Sequence, residues 1–155
     1  MAGMGEYRTT FRIDAPSEVV WAVLADFKRY PDWNPSLPSI AGDLHVRGTL
    51  SLTPAMPGRP SAKVKAQLLE VLPQRRLTWH GNAGADCLFA GDREFLIEEA
   101  DGGAVSFTNV ENVRGALFPL SRLIMGSAIQ RHHDGLNTAL KQRAEKLAAG
   151  TDPGR

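Results

Sequence analysis

The chain has 155 residues, 43% hydrophobic and 23% charged, with 18 basic against 17 acidic side chains and a net charge of +1. That length suits one domain, 1–155, burying roughly 70% of its unfolded surface, and the even charge without a basic cluster argues against nucleic acid as a partner. No run approaches the ~20 apolar residues of a membrane span, and the single cysteine, Cys87, excludes an internal disulfide and a cysteine-based zinc site while fitting a reducing, cytoplasmic setting.

The N-terminus has no basic segment followed by an apolar run, so no signal peptide is expected. Tyr7 to Ile13 sets Tyr7, Phe11 and Ile13 against Arg8, Thr10 and Arg12, the alternation of a half-buried strand. Asp14-Ala15-Pro16-Ser17-Glu18 then opens a helix: Pro16 suits a first turn, and Ser17 or Asp14 can cap it. Val19 to Phe27 is apolar on most sides, so this helix is expected to wedge into the body. Pro31, Pro35 and Pro38 limit the next segment to a short helical turn or a rigid corner. Strands follow at about Ile40 to Arg47, Thr49 to Thr53, Ala62 to Leu72, Arg76 to Gly81, Cys87 to Glu99 and Ala104 to Arg114, divided by Gly- and Pro-bearing turns. The last element is amphipathic, from Pro119 to about Ala149. Ile129, His133, Leu136, Leu140, Ala144 and Leu147 form its buried stripe, extended upstream by Leu120, Leu123 and Ile124. Thirty helical residues reach about 45 Å, more than the width of such a domain, so a kink at Gly126 or a separate short helix is expected. Gly135 costs about 1 kcal/mol against Ala, which points to close approach to the sheet or to room for a ligand. The ordered core is expected over about 6–149, with a frayed tail at 150–155.

Two registers can be argued. Phe95 and Ile97 share a face with Val105 and Phe107 only if their loop holds an odd number of residues. The loop Asp101-Gly102-Gly103 satisfies this and sets Ile97 opposite Phe107, Phe95 opposite Asn109, and Arg93 opposite Glu111. Around Pro73 the same reasoning puts Leu77 across from Val71 and Trp79 across from Leu69. Val64, Ala66 and Leu68 stand at even positions but Leu69 and Val71 at odd ones, so a β-bulge is expected near Gln67 to Leu69.

A many-stranded sheet followed by one long amphipathic helix buries both apolar faces most economically when a curved sheet grips the helix, and a hollow is then left between them. This order, carried by Ala15-Pro16-Ser17-Glu18-Val19-Val20-Trp21, Tyr30-Pro31-Asp32-Trp33-Asn34-Pro35, Leu77-Thr78-Trp79, Gly91-Asp92-Arg93-Glu94-Phe95 and Gly135-Leu136-Asn137, resembles the START-like (SRPBCC) superfamily with its polyketide cyclase/dehydrase and lipid-transport group. The resemblance implies an α+β helix-grip fold: about seven antiparallel strands around the C-terminal helix, with two short helices after the first strand. It also implies a cavity for hydrophobic ligands, with catalysis in some members only.

Arg93, Asn109 and Glu111 are polar residues on the apolar face of two paired strands. A charge there must be paired or wet. Either they anchor the polar end of a ligand, whether carboxylate, hydroxyl or carbonyl, or they form a cross-strand ion pair with no ligand role. His133 falls on the buried stripe and His132 at its edge, as core histidines or as proton carriers. Adjacent on a helix, they make a poor chelating pair, and no metal site or cofactor is expected. His80 should face solvent, opposite Trp79. Cys87 is expected inward beside Phe89 and inert. Trp79, Phe89 and Phe107 are candidate cavity walls. The candidate ligand-binding set is therefore Trp79, Phe89, Arg93, Phe95, Phe107, Asn109, Glu111, Ile129, His132, His133 and Leu136, with Arg93, Glu111 and His132 as the catalytic candidates. The loop Thr53 to Pro60, with Met56, is either a lid or a variable surface loop. The patch Leu117-Phe118-Pro119-Leu120 with Leu123-Ile124-Met125 suits a gate, a dimer contact, transient lipid contact without stable insertion, or plain packing against the edge of the grip. Three functions compete: a carrier of a lipid, isoprenoid or aromatic polyketide-like molecule; a cyclase, aromatase or dehydratase; and a protein-interaction module with a collapsed cavity.

Overall fold

The computed structural model describes residues 3–55 and 63–150. The strand start at Ala62, most of the lid loop with Met56, and tail residues 151–155 lie outside the described residues.

The strands are β1 (Gly3–Ile13), β2 (Ser39–Ala41), β3 (Thr49–Thr53), β4 (Val64–Leu72), β5 (Arg76–Asn82), β6 (Ala90–Glu99) and β7 (Val105–Gly115). They form one antiparallel sheet ordered β1-β7-β6-β5-β4-β3-β2. Helices α1 (Ser17–Ala25) and α2 (Tyr30–Trp33), joined by a 3-10 turn at Phe27–Arg29, lie between β1 and β2. The long helix α3 (Phe118–Ala148) closes the fold, which is the α+β helix-grip arrangement.

The β6–β7 register is the expected one: Ile97 faces Phe107, Phe95 faces Asn109 and Arg93 faces Glu111. Gly102 and Gly103 turn the loop at φ 74° and 75°, a region where a Cβ is strained. The bulge in β4 also forms, between Leu68 and Glu70. It moves Trp79 opposite Leu68 rather than Leu69, because the extra residue, Leu69, is squeezed out of the ladder and is 50% exposed.

Other boundaries differ from expectation. β2 stops at Ala41, since Gly42 and Arg47 take positive φ and the segment turns through hydrogen bonds from His45 N to Asp43 O and from Gly48 N to His45 O. β6 begins at Ala90, not Cys87, because Leu88 N and Phe89 N both fold back onto Ala85 O; Cys87 is thereby exposed rather than inward. The N-cap of α1 is Pro16, with no side-chain cap from Ser17 or Asp14; buried Ser17 instead reaches Gln74 with its hydroxyl. α3 runs unbroken through Gly126. Its surplus length is accommodated by leaving the first turns uncovered: Leu120, Leu123 and Ile124 are exposed, Leu123 by 84%, and do not extend the buried stripe. Phe118 is buried at this end, its ring filling the space where a Cβ on Gly5 would sit, with Pro119 packed beside it against Gly3.

The C-terminal half of α3 and α1 cover a packed core of Leu77, Phe95, Ile97, Phe107, Val20, Leu24, Leu140 and Ala144. The Pro-rich corner is fixed by Asn34, whose Oδ1 accepts from Ser36 N (3.1 Å) and Leu37 N (3.0 Å). That corner explains Gly135, which approaches neither the sheet nor a ligand. A Cβ there would lie 2.5 Å from Ser36 Oγ.

His133 is fully buried on α3, with Nε2 3.0 Å from Thr9 Oγ1 of β1 and Nδ1 without a hydrogen bond among the described residues. Burial, aided by the nearby Arg93 cation, pushes its pKa from 6.5 down to about 4. The folded protein therefore holds His133 neutral while the unfolded chain protonates it below about pH 6.5.

Two outcomes follow from this packing. Gly135→Ala alone should destabilise by about 1 kcal/mol through overpacking. Adding Ser36→Ala should restore stability to at least the parent level, since helix propensity then favours Ala. Urea unfolding of the four proteins measures the coupling, and additive effects would show that Ser36 rotates aside freely. Stability should be complete above pH 6.5 and fall on acidification towards pH 4, by up to about 1.4 kcal/mol per pH unit for His133. Thermal melts of the parent and of His133→Gln across this range check it, with a shallower slope expected for the variant.

Candidate functional site

Along the concave face, side-chain bulk falls from one end of the strands to the other. On β6 the inward residues run Ile97, Phe95, Arg93, Gly91; on β7, opposite, they run Phe107, Asn109, Glu111, Val113. At the first end the aromatics interlock, Trp79 against Phe95 at 5.3 Å between ring centroids and Phe95 against Phe107 at 5.8 Å. At the other end lies a cavity of about 450 Å³. Its sheet wall includes Val64, Trp79, Gly81, Gly91 and Val113; its helix wall includes Met125, Ile129 and Leu136; Leu37, Leu52 and Phe89 close the sides. A Cβ on Gly91 would meet only the Asn112 carbonyl, at 3.6 Å, so that position opens directly on the cavity. The space is not filled by side chains, as a collapsed interaction module would require.

Arg93 marks the boundary between the packed and the hollow halves. It is 6% exposed. Its Nη1 donates to Asn109 Oδ1 (2.9 Å) and its Nη2 to Glu111 Oε2 (2.7 Å), and its guanidinium carbon lies 5.8 Å from the Phe95 ring centre. Asn109 passes the chain on, donating from Nδ2 to Asn137 Oδ1 of α3 (2.6 Å). The network ties β6, β7 and α3 together and fixes the guanidinium, as a buried cation requires. Glu111 Oε1 makes no hydrogen bond among the described residues, and the side chain is 21% exposed where it lines the cavity.

His132, on the helix wall, is buried with Nδ1 3.3 Å from Ala55 O. A carbonyl only accepts, so Nδ1 carries the proton and Nε2 the lone pair. Burial and Arg93 lower its pKa, with Glu111 and the Ala55 contact opposing them. Nε2 makes no hydrogen bond among the described residues.

Of the residues singled out from sequence, Trp79, Phe89, Arg93, Glu111, Ile129, His132 and Leu136 line this cavity. Phe95, Phe107, Asn109 and His133 do not: all four are fully buried behind it, the aromatics as packed core, Asn109 holding Arg93, and His133 facing Thr9. His80 does lie on the outer face, but between carboxylates rather than in open solvent: Nδ1 is 2.6 Å from Asp92 and Nε2 3.0 Å from Asp86, while Arg114 pairs with Asp92. Of the apolar patch, Leu117 and Met125 join the wall and Phe118 packs inward. Gly81, Gly91, Ser121 and Asn137 were missed. Two glycines at inward-facing strand positions, and an Asn four residues after His133 on the same helix face, were the available signals. Among the described residues no His, Cys, Asp and Glu group converges to hold a metal ion, and no helix is long and apolar enough to cross a membrane.

The fold is shared with solved structures of low sequence identity. Zhui aromatase/cyclase from Streptomyces sp. R1128 superposes with a TM-score of 0.76 at 16% identity, over 96% of this chain and 98% of that one. Norcoclaurine synthase from Thalictrum flavum, in complex with dopamine and hydroxybenzaldehyde, gives 0.70 at 16% identity over 97% and 90%. Ara h 8.0201 gives 0.71 at 11% identity over 92% and 98%. A search of curated proteins finds no significant match. The model of the family described as polyketide cyclase / dehydrase and lipid transport matches residues 4–145, nearly the whole length, and the chain belongs to that family.

Proposed function

We propose that the chain binds and carries a hydrophobic small molecule in the cavity between the sheet and α3. The observation that supports this best is the cavity itself: about 450 Å³, walled mainly by apolar side chains, with one fixed polar cluster at its inner end. That volume lies within the range of small-molecule sites, and an apolar wall with few polar groups is their usual make-up. Burial of ligand surface contributes about 25 cal/mol per Å², while Arg93 and Glu111 set orientation. The family description, which includes lipid transport, and the ligand-bound norcoclaurine synthase of the same fold support the reading.

One observation favours a second reading, an enzyme of the cyclase or dehydratase type. His132 Nε2 on the helix wall and Glu111 Oε1 on the sheet wall are two proton acceptors lining the same cavity, and both keep unused lone pairs among the described residues. A bound ligand recovered unchanged after incubation supports carriage; a ligand converted by the parent but not by His132→Phe supports catalysis.

Filling the cavity from Gly91 separates the cavity from the fold. Gly91→Leu should keep or raise the melting temperature, because the new side chain enters open space. It should weaken binding of the neutral fluorophore N-phenyl-1-naphthylamine at least tenfold. Absence of any displaceable fluorescence with the parent protein would overturn the carrier reading.

A further inference from the structure

We infer, building on that reading, that the ligand presents a neutral hydroxyl group, as a phenol, enol or alcohol, to Glu111, and that the cavity rejects carboxylates. A buried arginine at the end of an apolar pocket ordinarily suggests the opposite, a carboxylate partner held bidentately. Here that geometry is already used. Nη1 and Nη2 each give one N–H to a partner within the protein, which fixes the fork on Asn109 and Glu111, and the Arg93 charge is balanced by Glu111 at 2.7 Å. The pair presents no net charge to a ligand. What it presents is the second oxygen of Glu111, a full acceptor with no hydrogen bond among the described residues.

The remaining polar wall has the same sense. His132 spends its Nδ1 proton on Ala55 O and keeps an acceptor at Nε2. Ser121 spends its proton on Phe118 O (2.8 Å) and keeps oxygen lone pairs. Asn82 donates to Asp86 Oδ1 (2.6 Å). The indole N–H of Trp79 makes no hydrogen bond among the described residues, so it can meet a hydroxyl oxygen, but it brings no charge to offset an anion. A carboxylate entering this space would lose its hydration beside the free oxygen of Glu111, with no uncompensated cation to receive it. A hydroxyl would donate to a carboxylate, one of the stronger hydrogen-bond types. Burial, aided by Arg93, lowers the pKa of His132 and so favours its neutral form at this wall.

The test is a displacement series against N-phenyl-1-naphthylamine at pH 7 with one ring system and three substituents: 2-naphthol, 2-methoxynaphthalene and 2-naphthoate. Phenols ionise near pH 10 and carboxylic acids near pH 4, so the first is neutral and the last anionic. The naphthol should bind about tenfold tighter than its methyl ether, which has lost only the donor, and at least tenfold tighter than the naphthoate. Glu111→Gln should reverse the last preference, raising naphthoate affinity at least tenfold by leaving the Arg93 charge unbalanced. If that variant does not fold, the parent series decides alone. Equal binding of naphthol and ether, or tighter binding of naphthoate, overturns this inference while leaving the carrier reading intact. A fluorophore that never binds removes both.

Discussion

A guanidinium out of water must have its charge matched, and in this fold that requirement falls on Arg93. Everything near it is arranged around the demand. Glu111 stands directly across the ladder, Asn109 occupies the adjoining inward position of β7, and Asn137 reaches down from the helix to close the chain of hydrogen bonds. The ion pair therefore sits where three elements meet. It could not be moved by one residue along either strand without turning a charge to the wrong face.

That placement divides the molecule. Below Arg93 the concave face is filled by aromatic rings and the aliphatic side of α3. Above it the inward positions become glycine and valine, and the helix wall recedes to Met125 and Ile129. Large apolar residues above the pair would seal the carboxylate of Glu111 into a dry interior without a second partner. Small residues leave it access to the cavity. The hollow and the ion pair are thus two aspects of one solution, and this end of α3, where Leu120 and Leu123 are exposed, covers a space rather than a core.

Much of this was legible in the chain. Period-two alternation and loop parity fixed the β6–β7 register, and with it the meeting of Arg93 and Glu111. The bulge in β4 could be read from a switch between even and odd apolar positions, although its effect on the pairing of Trp79 was not carried through. What stayed hidden depended on local backbone geometry or on distance in sequence. Cys87 turned outward because Leu88 and Phe89 fold back on Ala85, a hydrogen-bonding choice with no periodic signature. Phe95 and Phe107 entered the candidate ligand-binding set because they share the face with Arg93; nothing in a strand pattern says at which residue filling gives way to space. The partner of Gly135 was Ser36, about a hundred positions away in a Pro-rich corner with no pattern of its own.

From sequence, the polar cluster offered two exclusive readings, a structural ion pair or a ligand anchor. At the level of atoms they are not exclusive. Two nitrogens of Arg93 and one oxygen of Glu111 are used in holding β6 to β7. The other oxygen of Glu111 is held rigidly by the same bonds and is not consumed by them. A hydrogen-bond acceptor fixed in this way loses little conformational entropy when it meets a donor, which makes it a better orienting group than a free surface carboxylate. On the proposed reading, structural commitment of Arg93 is what gives Glu111 its directional value, and the residue most visible in the sequence as a candidate anchor would act by positioning its neighbour.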